Sequence, residues 1–461
     1  MNQNIAPSAG EHDEHVAPLT NEQRLMMRRM RDCPYPTSYT TVVRLELTGR
    51  LRPDVLASAL DALAVRHHAL RSRFVSGPDG RARQIVDAPR PVRLERADVS
   101  GAPPAQRAEA TRLLVDRLRG EPFDLAAGHL LRAALLRTEE HTWQLYLAYH
   151  HIAVDGWALR VMLEDLAALY TACLEEGGAA GATPAPAATV QSADCARSQR
   201  TAEARARAAG NIRYWRSVLA GQTQVIHWPG VSPRPRDFIG EGAVEPVRIG
   251  GDVHRALRRT AARCGASSFV TVAAALAVFL SRLSGQRDLI VSVPFFNRSE
   301  ADARAVTCLS GPVLLLCEVR EEETFATLVE RTADRFFDGI EHAALPVTEL
   351  LDTLVREDGW TTTRTPCAAI AMQSFGFDEV AQLPGVGARL HFESVHVALT
   401  DLVLNLTESD DGIDGFALYR RALFDSATVH RWMREFTELT AALARRPDLP
   451  LEQAVPAPAR T

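Results

Sequence analysis

Hydrophobic and polar positions change period along this chain, and the changes mark its elements. From Val43 to Thr48, Val43, Leu45 and Leu47 point one way while Arg44, Glu46 and Thr48 point the other, which predicts a half-buried strand. Pro53 and Asp54 then open a helix with Leu56, Leu60 and Leu63 along one face. Alternation returns from Thr142 to Tyr149, with Trp143, Leu145, Leu147 and Tyr149 on the apolar side. From Trp157 the period becomes helical, and Leu159, Met162, Leu163, Leu166, Leu169 and Cys173 form one stripe. In the second half, helical patterns cover Ala202 to Leu219, Phe269 to Leu283 and Ala427 to Ala444. Strands are expected at Leu289 to Val293, Val313 to Val319, Ala368 to Gln373 and Asp401 to Thr407. Strands and helices alternating in both halves predict an α/β protein with sheets covered by helices.

Residues 177–189 are small and rich in Gly, Ala and Pro, the composition of an interdomain connection. The expected division is a disordered tail over 1–18, a lobe over 19–176, the connection, a second lobe over 190–452 and a short tail over 453–461. Two domains suit a length of 461 residues, and 46% hydrophobic with 24% charged residues describes a globular chain. No apolar run approaches the ~18 residues that span a bilayer. Met1 to Pro18 has no apolar stretch of the kind a secretion signal carries, so no membrane contact and a cytoplasmic location are expected. A net charge of −5 leaves no basic footprint for nucleic acid, and all 52 basic residues are Arg. Seven scattered cysteines with no CxxC pair argue against both a disulfide framework and a zinc site. His12 and His15 fall in the tail, and no metal is expected.

Chemistry concentrates in the unbroken string His150-His151-Ile152-Ala153-Val154-Asp155-Gly156, where a strand hands over to a long amphipathic helix. A neutral imidazole is the side chain best suited to accept a proton near pH 7. The alternative is a histidine pair that is merely hydrogen-bonded core, but the Asp-Gly at this spacing and corner favours a functional role. No Gly-x-Ser-x-Gly elbow is present, so no covalent serine is indicated.

These residues resemble the condensation domains of nonribosomal peptide synthetases, from about Leu19 to Leu451. Thr20 to Leu25 resembles the opening block, and Arg66 to Phe74 resembles Arg-His-x-x-Leu-Arg-Thr-x-Phe. The core string matches His-His-x-x-x-Asp-Gly in full. Ala193 to Arg197 is a worn copy of Tyr-Ala-Asp-Tyr-Ala-x-Trp, with Ser192, Cys195 and Ser198 where aromatics are usual. Pro294 to Arg298 matches the Asn-Arg block, and Thr400 to Leu402 with Leu423 to Asp425 matches the C-terminal pattern. Gly311-Pro312 stands where Asn-Thr is usual, and His68 where Glu is common.

The resemblance implies two chloramphenicol-acetyltransferase-like lobes in a V-shaped pseudo-dimer, with an active site at their junction reached by two pantetheine-sized tunnels. It implies that His151 accepts the nucleophile's proton or orients the nucleophile, with His150 packed and hydrogen-bonded beneath it. Asp155 would salt-bridge Arg298 across the lobes, and Gly156 would give the backbone room to turn and let a thioester approach. Trp157, Gln373 and Ser374 are candidate substrate contacts, with turn formation or core packing the competing role for the last two. Arg66 and Arg71 are expected to brace the core, and Asp425-Ser426 is rejected as a pantetheine attachment site. No cofactor is expected on the chain itself; 4'-phosphopantetheine would be supplied by an acyl or peptidyl carrier protein acting in trans, and the acceptor would be a small-molecule amine or hydroxyl. The leading expectation is a free-standing condensation enzyme. The alternative is a coenzyme A-dependent or polyketide-associated O- or N-acyltransferase of the same superfold. A catalytically dead recruitment module is disfavoured by the intact histidine string.

Overall fold

The computed structural model describes residues 16–31, 33–77, 81–176, 188–223, 225–231, 239–360, 368–373, 382–393 and 397–454. Its first half runs β1 (Val16–Pro18), α1 (Asn21–Arg31), β2 (Thr40–Gly49), α2 (Pro53–Arg66), β3 (Ser72–Ser76), β4 (Ala82–Val86) and β5 (Leu94–Asp98). It continues through α3 (Pro104–Gly120), β6 (Leu131–Glu139), β7 (Thr142–His150) and α4 (Gly156–Glu175). The second half begins with α5 (Ser192–Ser198), α6 (Ala202–Leu219), β8 (Gly240–Gly250), α7 (Gly251–Arg263), α8 (Ser268–Ser284), β9 (Asp288–Phe295) and β10 (Gly311–Glu318). Then come α9 (Phe325–Glu341), α10 (Val347–Glu357), β11 (Ala368–Gln373), β12 (Val386–Phe392), β13 (Val397–Ala398), β14 (Leu402–Ser409), β15 (Gly412–Arg420), α11 (Ser426–Arg445) and α12 (Leu451–Ala454).

Among the described residues the strands make three sheets, in the orders β12-β2-β7-β6-β5, β10-β9-β11-β14-β15-β8-β13 and β1-β4-β3. The two large ones are mixed: β5 runs parallel to β6, and β11 parallel to β9 and β14, within otherwise antiparallel ladders. In β2, Val43, Leu45 and Leu47 are buried as the alternation requires. In β7 burial covers both faces from Leu145 onward, and β2 and β6 flank its two hydrogen-bonding edges. Helix α8 is apolar all round and is correspondingly sunk in the second core; Ser267 caps its start, and Gly285, at φ 73, ends it. No single helix among the described residues is long and apolar enough to cross a membrane.

Among the described residues two large cores form, one per half, with a small third cluster of Cys195, Ala305 and Leu309, and each large core borrows from the other half. Leu25 joins the second core, while Val306, Cys308, Leu383 and Val386 join the first. The expected division therefore needs correction at its edges. Val16–Pro18 is not tail but a strand paired with β4, held further by the Gln84 amide donating to the Pro18 carbonyl at 2.7 Å. Strand β12 lies inside the expected second lobe yet pairs with β2 of the first, from Val386 opposite Gly49 to Phe392 opposite Val43. Alternating side chains on β12 suit the open edge of that sheet, and pairing satisfies backbone groups that β2 would otherwise expose. Ala188, within the expected connection, is buried and its N–H donates to the Arg66 carbonyl at 3.2 Å; 177–187 lie outside the described residues. Gln453 and Ala454, expected in the tail, belong to α12, where Ala454 is buried.

Candidate active site

The corner between β7 and α4 is fixed by backbone bonds before any side chain acts. The His150 N–H donates to Leu130 O at 3.2 Å, the His151 N–H to Tyr39 O at 2.9 Å, and the Ala153 N–H to His150 O at 3.0 Å. Ile152, Ala153 and Val154 are fully buried and plug the turn into the first core. Asp155 ends the turn in an extended conformation and caps α4, accepting from Ala158 N at 2.8 Å.

The two histidines occupy different environments. His150 is fully buried between the Tyr39 and Phe123 rings, each with its centroid 6.2 Å away. Its Nδ1 accepts from Ile152 N at 3.1 Å, so the ring proton resides on Nε2, which has no partner. Burial, and secondarily the neighbouring His151, push its pKa down to about 3, so the ring is neutral across the working range. With its lone pair already engaged by an amide, His150 has no free acceptor to offer a substrate. His151 is half-buried; its Nδ1 is buried without a partner, which leaves Nε2 as the ring's open edge.

Asp155 is saturated. Besides Ala158 N, its carboxylate accepts from Arg298 Nη2 at 2.9 and 3.1 Å, Leu309 N at 2.8 Å and Ser310 N at 3.0 Å. Arg298 also donates to the carbonyls of Asp302, Ala305 and Thr307. Both side chains are at most 4% exposed, so the pair is a buried cross-lobe joint. No lone pair of Asp155 remains for an imidazole.

Gly156 departs from its expected role. Its φ is ordinary, so the turn does not require a glycine; a Cβ there would instead crowd the Phe296 ring at 3.2 Å, which would have to give way. Trp157 donates through Nε1 to Ala303 O at 2.8 Å, and its ring lies 6.1 Å from Phe296, so it too reaches the opposite lobe. Gln373 ends β11 opposite Thr407, away from the string in sequence and on the second sheet. Ser374 lies outside the described residues, as do His12 and His15. Arg66 bonds Asp165 at 2.9 Å, alongside His67 at 2.8 Å and Arg304 of the other lobe at 2.6 Å. Asp425 caps α11 by accepting from Thr428 N at 2.7 Å. Among the described residues no group of His, Cys, Asp or Glu is placed to hold a metal.

A polar knot behind the corner was not foreseen from sequence. The Gln23 amide donates to Ile152 O at 3.1 Å and to the Ser192 and Thr307 hydroxyls at 3.2 Å, and those hydroxyls bond each other at 2.8 Å. Thr20 Oγ1 adds a bond to Cys308 O at 3.0 Å. The signal was available in the opening block, where a glutamine stands in the first turn of an otherwise Arg-rich helix.

The Condensation domain family profile matches residues 13–460. Malpinin synthetase of Mortierella alpina is 29% identical over 396 residues, covering 86% of this chain but only 5% of that protein, so the chain spans a small part of such a synthetase. The first condensation domain of the CDA synthetase superposes with a TM-score of 0.80 at 25% identity, covering 95% of this chain and 98% of that one. A variant of the starter condensation domain of rhizomide synthetase, solved in complex with C8-CoA and Leu-SNAC, has a TM-score of 0.79 at 21% identity, over 96% and 99% of the two chains.

Proposed function

Because this chain belongs to the condensation-domain family of acyltransferases, we propose that it joins an acyl or aminoacyl thioester carried by a carrier protein to an amine or hydroxyl acceptor. Condensation domains act on carrier-tethered substrates; that the carrier meets this chain in trans, and that the chain works free-standing, are parts of the proposal. The observation that carries it is the pairing of a partly open imidazole, His151, with a lobe-bridging carboxylate, Asp155, that has no spare lone pair.

The reaction asks little of the side chains. The acceptor nitrogen or oxygen adds to the thioester carbon, the carbon–sulfur bond breaks, and the departing thiolate takes a proton. His151 Nε2 accepts the acceptor's proton or holds that proton's hydrogen bond while the new bond forms. Orientation of two bound reactants removes ~7–11 kcal/mol of barrier, and a positioned base adds ~10²–10⁴-fold. Asp155 and Arg298 keep the corner and the loop 298–310 in register; they do not relay protons. Trp157 and the β11 end at Gln373-Ser374 are proposed substrate contacts.

A second reading, transfer from a coenzyme A thioester, is favoured by one finding: the rhizomide starter domain, similar in fold, was solved with C8-CoA. Incubating the chain with loaded carrier protein or with acyl-coenzyme A, each with a panel of amines and alcohols, separates the two by intact-mass detection of product. Product from the carrier alone supports the first reading and product from coenzyme A alone the second; no product from either overturns both.

A further inference from the structure

Apart from the lobe junction, the first lobe holds a cavity of about 490 Å³ beside the β5 edge of its sheet. That volume lies within the range of pockets that take small organic ligands. Its floor is apolar: Leu70, Leu118, Phe123, Leu131 and Ala133 line it and are themselves buried. Its rim carries four acids and four arginines, and they are not paired with each other one to one.

Every acid at this pocket is already engaged. Asp87 is taken by Arg73 at 2.8 Å, Glu95 by Arg117, Glu121 by Arg132 at 3.5 Å, and Asp124 by the N–H groups of Ala126 and Ala127. Three lining guanidinium groups donate to no carboxylate among the described residues, although Arg71 also lies within the field of the Asp87 charge. Arg71 donates only to the carbonyls of Ala64 and Asp87. Arg90 donates to the His129 ring at 3.1 Å, and since guanidinium cannot accept, that ring nitrogen is the acceptor. Arg93 is exposed and makes no ion pair among the described residues. Planar guanidinium groups left in this state favour carboxylate or phosphate oxygens.

The loop beside these groups, which supplies the His129 acceptor to Arg90, is pre-set. Gly128 and His129 both adopt positive φ, 77 and 58, the second rare for a residue with a side chain. A Cβ at Gly128 would press on Arg73 Cγ at 3.2 Å, so a larger residue there would have to displace that side chain as well as adopt the positive φ. Strain of this sort gathers where a loop is held for a ligand. The floor also reaches the histidine string. Phe123 stands edge-on to His150 and lies under the Arg132 guanidinium, 4.0 Å from its ring centre.

We propose that this pocket binds a small amphipathic acid: a carboxylate or phosphate head held by Arg71, Arg90 and Arg93, on a short apolar body resting against Phe123 and Leu118. Isothermal titration of the full chain with octanoate, phenyl phosphate, octanamide and inorganic phosphate tests it. Octanoate or phenyl phosphate should bind saturably at one site, and which of the two binds more tightly tells whether the natural head is a carboxylate or a phosphate. Affinity should fall at least tenfold in the doubly substituted Arg90→Ala, Arg93→Ala protein, and likewise in Ala127→Trp, which plugs the mouth. Thermal melting verifies that these surface variants stay folded. The proposal is overturned if neither acid saturates, or if octanamide or inorganic phosphate binds as tightly as the amphipathic acids. It is equally overturned if both variants titrate like the unaltered chain, as an acid seated in the lobe junction would make them do.

Discussion

The first lobe's β7–α4 corner has a counterpart in the second lobe's β15–α11 corner, and they match position for position. Thr142–His150 and Gly412–Arg420 are both nine-residue strands closing an antiparallel hairpin; Gly156–Glu175 and Ser426–Arg445 are both twenty-residue helices. Tyr149 and Tyr419 occupy the same place, and Asp155 and Asp425 cap their helices through the same bond to the third residue on. The pair between them differs: His150-His151 in one lobe, Arg420-Arg421 in the other. Arg420 is as buried as His150, but it cannot shed its charge, so it lies against the buried Asp401 at 3.3 Å, which also accepts from Trp228 at 2.7 Å. His150 avoids that requirement by being neutral. One backbone corner thus holds a charge-paired guanidinium in one lobe and a neutral imidazole in the other, the latter being the corner we propose as the seat of chemistry.

The largest difference should lie in turnover. His151→Ala is expected to cut product formation by ~10²–10⁴-fold with little change in melting, while Arg421→Ala at the matching place changes it less than about twofold. Near-native turnover in the histidine variant would remove the functional half of the contrast. Stability comes next. Arg298→Met and Arg420→Met each strand a buried carboxylate and should each cost about 3–5 kcal/mol in urea unfolding, yet only the first should also lower activity. Equal activity losses would mean that the second corner takes part in the reaction.

A smaller effect follows from proton linkage. The folded His150 pKa is depressed, so its contribution is full above the unfolded value near 6.5 and is lost progressively as pH falls toward about 3. Between pH 6.5 and 5 this amounts to about 2 kcal/mol. His150→Asn should therefore flatten the acid limb of a plot of stability against pH; His67, also depressed by burial, retains its own share of that slope in the variant. An unchanged slope would show that the ring is protonated inside the fold. Smallest of all, Asp425→Ala removes a cap and nothing else, about 1 kcal/mol by thermal unfolding.

Short-range features were legible because their causes are short-range. Alternation gave β2, the change of period at Trp157 gave α4, and the spacing of His150, Asp155 and Gly156 marked the corner. The β11 span, Ala368–Gln373, was read to the residue because it is an apolar run, Ala368–Met372, closed by a polar Gln373. What escaped depends on partners far away in sequence. Nothing in Val386–Phe392 announces that β2 is its neighbour, since an alternating strand fits either sheet. Gln23, Ser192 and Thr307 meet only after both lobes have folded. Gly156 was assigned conformational freedom when the constraint is the Phe296 ring, whose approach no local pattern encodes. Asp155 and Arg298 were associated through family resemblance; spacing alone would not have joined them.

The crossing strand β12 has a practical corollary. Cutting the gene near 177–189 and producing the halves apart would strip β2 of the neighbour that covers its rim, leaving a row of bare amides ready to zip onto any other chain. Halves made separately should clump. Swivelling of the lobes during a catalytic cycle is likewise tethered: they can rock about this shared seam but cannot part without peeling it open.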